Sequence, residues 1–79
     1  MVGKITEKQA QYLSFIFHYI KVNGRSPAES DIQRYFNVSP PTVHQMVIKL
    51  ESLGLIVREP GVARSIQVLV SPKSIAKLK

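Results

Sequence analysis

Residues 39–54 read Ser-Pro-Pro-Thr-Val-His-Gln-Met-Val-Ile-Lys-Leu-Glu-Ser-Leu-Gly, and this stretch decides the fold. Ser39 can cap a helix that begins at Pro40, because the fixed φ of proline suits the first turn and its missing N–H needs no partner there. Gly54 can end the helix in the left-handed conformation. The sequence therefore predicts a helix between these residues.

This predicted helix has an apolar side and an outward side of a different composition. Val43, Val47 and Leu50 form one stripe, with Met46 and Leu53 at its edge, so this side should face a core. The outward residues are Pro41, Thr42, Gln45, Ile48, Lys49 and Ser52. Threonine, glutamine and lysine hydrogen-bond to base edges or phosphates, and isoleucine suits a thymine methyl group. A merely solvated helix face would show the same residues.

Capping patterns predict two helices before this one. Thr6 and Gln9 match a capping box that opens a helix of roughly four turns, with a stop near Asn23 and Gly24. Aromatic residues make this helix apolar on several sides, so a neighbour or a second subunit could cover part of it. Residues 26–29, Ser-Pro-Ala-Glu, match a second capping box with proline just inside the helix.

The second helix is predicted to be short and to lead directly into the third. Ile32, Tyr35 and Phe36 form its predicted apolar side, and Asn37 can adopt the left-handed conformation that ends it. Only residues 37–39 then separate the two helices. The pair is therefore predicted to be a helix-turn-helix with its second helix exposed.

After Gly54 the pattern becomes extended. Residues 55–57 and 65–70 are rich in β-branched side chains, and the link between them contains Pro60 and Gly61. Three helices followed by a β-hairpin is the order of a winged helix-turn-helix, an α+β fold that is mainly α. We expect this domain to span residues 1–70, with the hairpin tip beside the third helix and residues 71–79 as a basic tail or the start of a linker.

Length and charge favour a binding module over an enzyme. A chain of 79 residues leaves little room for an enclosed active site. Eleven Lys and Arg against five Asp and Glu give a net charge of +6, which attracts a polyanion, although Lys73, Lys77 and Lys79 alone supply three positive charges and the excess could serve solubility. We expect no catalytic site and no cofactor.

The sequence also limits the possible compartments and metal sites. There is no cysteine, and His18 and His44 lack partners at metal-ligand spacing, so we expect no metal site. The longest apolar run is too short for a membrane span, and the first residues lack a signal-peptide pattern. We therefore expect a cytoplasmic protein with no membrane partner.

The order and spacing of several short motifs resemble the amino-terminal winged-helix domain of LexA-type repressors. These motifs are Ile5-Thr6 with Gln9, Gly24 with Pro27, Asp31-Ile32, Thr42-Val43-His44, Leu50-Glu51, Gly54-Leu55-Ile56 and Arg64-Ser65-Ile66. The resemblance covers nearly the whole chain. It implies that the third helix enters the major groove of DNA and that the wing lies along the adjacent backbone.

The resemblance does not extend to the carboxyl-terminal protease half of that family. These residues hold no Ser and Lys dyad and no self-cleavage site, so we expect no induction by autoproteolysis. The usual dimerisation surface also belongs to that half. A lone module of this size buries only roughly 600–1,000 Å² on DNA, so useful affinity calls for either a homodimer on paired half-sites or a second domain.

The candidate site residues fall into two groups. Carried over by position, the resemblance implies base-reading roles for Thr42, His44 and Gln45, and the outward side of the helix adds Ile48 as a base-reading candidate. The resemblance also implies that Ser39 lies near phosphates, and the charged phosphate-contact candidates are Lys49, Arg58, Arg64, Arg25 and Arg34. Each candidate also has an alternative interpretation. Gln45 and the cations could simply be solvated. His44 could be partly buried with one hydrogen bond, and Thr42 could help to cap the helix.

The predicted function is sequence-specific binding of double-stranded DNA by a transcriptional regulator. The rival prediction is a winged-helix module for protein–protein interaction, with Phe15, Phe17, Tyr19 and Ile48 as its contacts. Fold alone does not separate the two.

Overall fold

The computed structural model describes residues 5–71 and 73. Three helices, α1 (Glu7–Asn23), α2 (Glu29–Phe36) and α3 (Pro40–Ser52), precede the strands β1 (Ile56–Val57) and β2 (Gln67–Val68). The strands pair antiparallel, with Ile56 opposite Val68 and Val57 opposite Gln67. The predicted α+β winged helix-turn-helix, three helices followed by a two-stranded wing, is confirmed.

Helix α1 begins and ends where its local sequence predicts. The Thr6 hydroxyl accepts a hydrogen bond from the Gln9 amide at 3.1 Å, and the Gln9 side chain accepts one from the Thr6 amide at 2.9 Å. At the other end Gly24 has a φ of 74°, and its amide donates to the Ile20 carbonyl. The capping box and the stop at Asn23 and Gly24 are both confirmed.

The predicted start of α2 was wrong. The helix begins at Glu29, after Ala28, whose side chain has no acceptor for a cap. The Asp31 carboxylate, at the third position of the helix, instead accepts a hydrogen bond from the Ala28 amide at 2.9 Å. Ser26 is unavailable as a cap because it is buried and its hydroxyl accepts a hydrogen bond from the Ile66 amide at 3.2 Å. Ser26 therefore joins the loop before α2 to the wing.

One residue on the predicted apolar side of α2 was also misplaced. Ile32 is fully buried, and Phe36 stacks on Tyr12 with ring centroids 4.1 Å apart. Tyr35, however, is 67% exposed. Its ring covers Phe15 from outside, at a centroid distance of 4.3 Å, because a helix as short as α2 turns only part of its circumference toward α1.

The turn before α3 and both ends of α3 follow the sequence prediction. Asn37 has a φ of 55°, and Ser39 caps the next helix by accepting from the Thr42 amide. Beyond the last turn Gly54 has a φ of 76°. The Leu55 amide donates to the Leu50 carbonyl and the Gly54 amide to the Glu51 carbonyl, which is the Schellman pattern of helix termination.

The core lies between the three helices and is closed by the wing. Val43, Val47 and Leu50 on α3 are fully buried, as their spacing predicts. The other buried apolar residues are Ile5, Ala10, Tyr12, Leu13, Ile16, Ile32, Leu55, Ile56 and Ile66. Anchoring the inner stripe of α3 in this core holds its opposite side toward solvent.

The strands of the wing are shorter than the extended pattern predicts. Of residues 65–70, only Gln67 and Val68 pair as a strand. Arg64 has a left-handed φ of 56°, and the Ser65 hydroxyl donates to the Val62 carbonyl within the loop. These local bonds keep the loop backbone out of the ladder, so the tip is a compact loop.

Residues 71–79 lie outside the described residues except for Ser71 and Lys73. The boundary expected after residue 70 therefore stays a prediction. Among the residues that the structure describes, no helix is both long and apolar enough to cross a bilayer.

We expect Ser26→Ala to lower the free energy of unfolding by about 1–3 kcal/mol, because it leaves the buried amide of Ile66 without its acceptor. Urea unfolding would measure the loss, and hydrogen exchange should accelerate most at the Ile66 amide. Ser30→Ala, at an exposed position in the first turn of α2, is the matched control and should change little. Equal effects of the two substitutions would contradict the role of Ser26.

Candidate nucleic-acid interface

The outward side of α3 is exposed and chemically varied. Thr42, Gln45 and Lys49 are exposed, and Ile48 is 44% exposed. We call these four residues the reading face. Neither Gln45 nor Lys49 has a side-chain hydrogen bond or ion pair to a residue within the described part of the chain. Their polar groups can therefore bond to a ligand without first breaking an internal contact.

The first turn of α3 offers hydroxyl and amide groups beside the reading face. The Ser39 and Thr42 hydroxyls lie 2.8 Å apart, and the Ser39 hydroxyl accepts from the Thr42 amide at 3.4 Å. Thr42 therefore contributes to the cap, the alternative that the sequence left open for it. It is also exposed at a helix N-terminus, where amide groups and the helix dipole favour an anion.

His44 lies beside the reading face and contacts helix α2. Its Nδ1 is 3.2 Å from the Glu29 carboxylate, and about half of the side chain, 53%, is exposed. The sequence left open partial burial with one hydrogen bond. In the structure His44 has that single hydrogen bond, but its ring is exposed rather than partly buried. Nothing in the sequence indicates that Glu29 is its partner.

Arg64 is turned into the protein at the base of the wing. Its guanidinium lies 3.0 Å from the Asp31 carboxylate and donates to the Tyr19 hydroxyl and the Ser26 carbonyl, each at 3.3 Å. Only 32% of its side chain is exposed. These contacts join α1, the loop before α2, helix α2 and the wing. We call this group of residues, Tyr19, Ser26, Asp31 and Arg64, the wing clasp.

The Asp31 carboxylate is the centre of the wing clasp. It accepts from the Ala28 amide, and the Tyr19 hydroxyl donates to it at 3.4 Å. The bond from the Ala28 amide lowers the pKa of Asp31 most, and the charges of Arg64 and Arg34 lower it further against the opposing effect of burial. For Arg64, the hydrogen bond to Tyr19 is the largest cause of a raised pKa. Both groups are therefore ionised at neutral pH.

The remaining cations occupy different settings. The Nε of Arg58 lies 3.3 Å from the Glu51 carboxylate and forms an ion pair with it. The two groups are not aligned for a hydrogen bond at this nitrogen. Arg34 is an ion-pair partner of Asp31 at 3.3 Å but keeps 78% of its side chain exposed. Arg25 is exposed at a separate groove between α1 and β2. Of the predicted phosphate-contact cations, Lys49 is the one that belongs to the reading face itself.

The structure brings part of the predicted site together. His44, Arg58 and Arg64 line one open cleft of about 370 Å³ between α2, α3 and the wing, together with Glu29. Sequence reasoning missed the carboxylates Glu29 and Asp31 as site residues. The position of Asp31 three residues after Ala28 was a usable signal, because a carboxylate there often bonds to the helix start. The pairing of residues 45 positions apart, Tyr19 with Arg64, has no local signal.

Comparison with known proteins agrees with this geometry. A family model described as the iron dependent repressor, N-terminal DNA binding domain, matches residues 4–63. The chain belongs to this family. It is a repressor-type DNA-binding domain, and the prediction of a double-stranded DNA-binding module for transcriptional regulation is confirmed.

Relatives named as LexA repressors confirm the LexA-like resemblance. The chain is 44% identical over 72 residues to the LexA repressor of Thermosipho melanesiensis, which covers 91% of this chain and 36% of that protein. It is 40% identical over 72 residues to that of Petrotoga mobilis, covering 90% and 34%. The match to the protein of Thermosipho africanus is 37% over 73 residues, covering 92% and 37%. The chain thus spans about a third of the length of these curated relatives.

The family description refers to iron, and the described residues do not offer a suitable site. Within residues 5–71 and 73, no three His, Asp or Glu side chains are grouped as metal ligands. His44 and Glu29 contact each other, but this pair lacks a third ligand.

We expect the wing clasp to make stability depend on acid pH. The pKa of Asp31 is lower in the folded state than the usual value of about 3.9. Its contribution to the free energy of unfolding is therefore complete at pH values well above about 3.9. This contribution is lost as the pH falls through the folded-state pKa. Asp31→Asn should lower the free energy of unfolding by about 1 kcal/mol at pH 7, or roughly 4–8 °C in Tm.

Thermal unfolding between about pH 7 and pH 2 would test this expectation. The gap between the wild-type protein and Asp31→Asn should narrow below about pH 4. Glu59→Gln, which alters an exposed carboxylate of the wing, is the control and should show no such gap. A constant gap down to the lowest pH would contradict the role of the Asp31 charge.

Proposed function

We propose that α3 enters the major groove of double-stranded DNA and that its reading face contacts base edges. The exposed Gln45, Ile48 and Lys49, which have no bond to another described side chain, carry this proposal. Gln45 can bond to adenine N6 and N7, and Ile48 can contact a thymine methyl group. Thr42 and His44 lie close enough along the same helix to contact neighbouring base pairs.

Phosphate contacts would set the position of the domain and supply most of its affinity. Lys49 and Ser39 are the best-placed groups for these contacts. The Lys49 side chain has no bond to a described residue of another element, and Ser39 bonds only within the first turn of α3. Arg25 and Arg34 are exposed enough to reach the backbone. Arg58 and Arg64 would contribute mainly as fixed positive charge near the wing, because Glu51 and Asp31 hold them.

The protein-interaction rival has less support. Phe15 stacks on Tyr35, and the Tyr19 hydroxyl belongs to the wing clasp, so packing within the domain accounts for both. Of the four residues that the rival requires, Ile48 is the most exposed, and it also belongs to the reading face.

The DNA-binding domain would act as a homodimer in the cytoplasm. A single module gains limited affinity from its small contact area, and two copies would bind half-sites about 10 base pairs apart, one helical turn. Selection of sites from a random duplex library tests sequence preference and half-site spacing together. Selected sites without a paired repeat would contradict the dimer while leaving base reading intact.

We expect Lys49→Ala to weaken binding to all duplexes alike. Removal of one phosphate contact should reduce the slope of log affinity against log salt by about 1. Fluorescence anisotropy with selected and scrambled duplexes at several salt concentrations would measure this. Lys8→Ala is the control, because it also removes one positive charge but lies in the first turn of α1 rather than on the reading face. It should change the salt slope much less.

We expect Gln45→Ala to blur the preference at one base pair rather than to weaken all binding. The loss on the preferred sequence should be about 1–3 kcal/mol, because base contacts discriminate by that amount. Repeating the selection with the variant shows which position changes. An unchanged selected-site profile would contradict a base contact by Gln45.

A further inference from the structure

Glu29 and His44 meet in a geometry that fixes the position of one proton. Nδ1 of His44 lies 3.2 Å from one carboxylate oxygen of Glu29 and 3.3 Å from the other. An ionised carboxylate can only accept hydrogen bonds, so the ring nitrogen between its oxygens must be the donor. In a neutral His44 ring the proton therefore lies on Nδ1, and Nε2 carries a free electron pair.

The second nitrogen of the ring remains open to a ligand. Nε2 has no hydrogen bond to a residue in the described part of the chain, and 53% of the side chain is exposed. Arg58 and Arg64 line the same cleft, but Glu51 and Asp31 already pair with them. Glu29 is therefore the carboxylate that holds the His44 ring, while Nε2 is free to accept a hydrogen bond.

We propose that Glu29 determines base preference by fixing the tautomer of His44. The inference rests on the proposed major-groove binding of α3. An accepting Nε2 can bond to the amino group of adenine N6 or cytosine N4, whereas the major-groove edges of guanine and thymine offer acceptors. The opposite tautomer would donate from Nε2 to guanine, to thymine or to adenine N7, and would lose its contact with cytosine. Glu29 thus decides whether the His44 ring accepts from a base or donates to it, without contacting a base itself.

The tautomer can be measured without DNA. Long-range proton–nitrogen NMR spectra of the histidine-labelled protein at about pH 8.5, where a histidine ring is ordinarily neutral, distinguish a protonated from an unprotonated ring nitrogen. We expect His44 to be protonated on Nδ1, and Glu29→Ala to populate both tautomers. His18 is an internal control, because its Nδ1 lies 2.8 Å from the Ser14 carbonyl oxygen, and its signals should not change.

Base preference is measured by site selection from a random duplex library at the same pH. His44→Ala identifies the position that the ring reads. There the wild-type protein should prefer adenine or cytosine by roughly fivefold, the value of one net hydrogen bond, and Glu29→Ala should reduce this preference to less than about twofold. The double variant should match His44→Ala alone. Glu59→Ala, which removes one negative charge from the wing, should leave the profile unchanged.

The outcomes separate this inference from the proposed function. A wild-type protein that selects no sequence refutes base reading by α3, and with it the role of Glu29. A selective wild-type protein whose preference persists in Glu29→Ala refutes only the role of Glu29. A wild-type His44 ring protonated on Nε2 refutes it as well, whatever the selection shows.

Discussion

The Asp31 carboxylate receives bonds from three directions, and the placement of the wing depends on it. It holds the start of α2 through the Ala28 amide, the end of α1 through the Tyr19 hydroxyl and the wing through Arg64. Pairing two ionised groups gains little net stability, but removing one partner leaves the other unpaired. The wing clasp therefore specifies one arrangement of the wing and the helix-turn-helix more than it adds to the stability of the core.

Helix α3 connects this scaffold to function because its two sides have opposite tasks. Val43, Val47 and Leu50 fix the helix axis in the core, and the caps at Ser39 and Gly54 fix its length. Side chains on the other side are then presented from a rigid element. A base contact requires placement within hydrogen-bond distance, which a mobile segment would reach only at a cost in conformational entropy.

Local signals predicted most of the fold, and they misassigned Ser26 and Arg64 because a distant residue competes for each side chain. Thr6, Asn37, Ser39 and Gly54 act through neighbours within a few positions, so their roles can be derived from spacing. Ser26 matched the cap pattern equally well, but the Ile66 amide, 40 residues away, takes its hydroxyl. The sequence similarly predicts Arg64 to be a surface cation, but in the structure its guanidinium bonds to Asp31 and Tyr19.

The sequence by itself determined the three helices, the tight turn between the last two, the apolar stripe of α3 and the resemblance to repressor DNA-binding domains. These features follow from capping chemistry, helical period and motif order, all of which act over short distances. Only the tertiary structure decided which polar residues remain free for DNA and which bind the protein itself. That division depends on contacts between residues far apart in the chain: Glu29 with His44, Glu51 with Arg58 and Asp31 with Arg64. Packing of the helices and the wing brings these partners within bonding distance. The local spacing of residues does not encode this proximity.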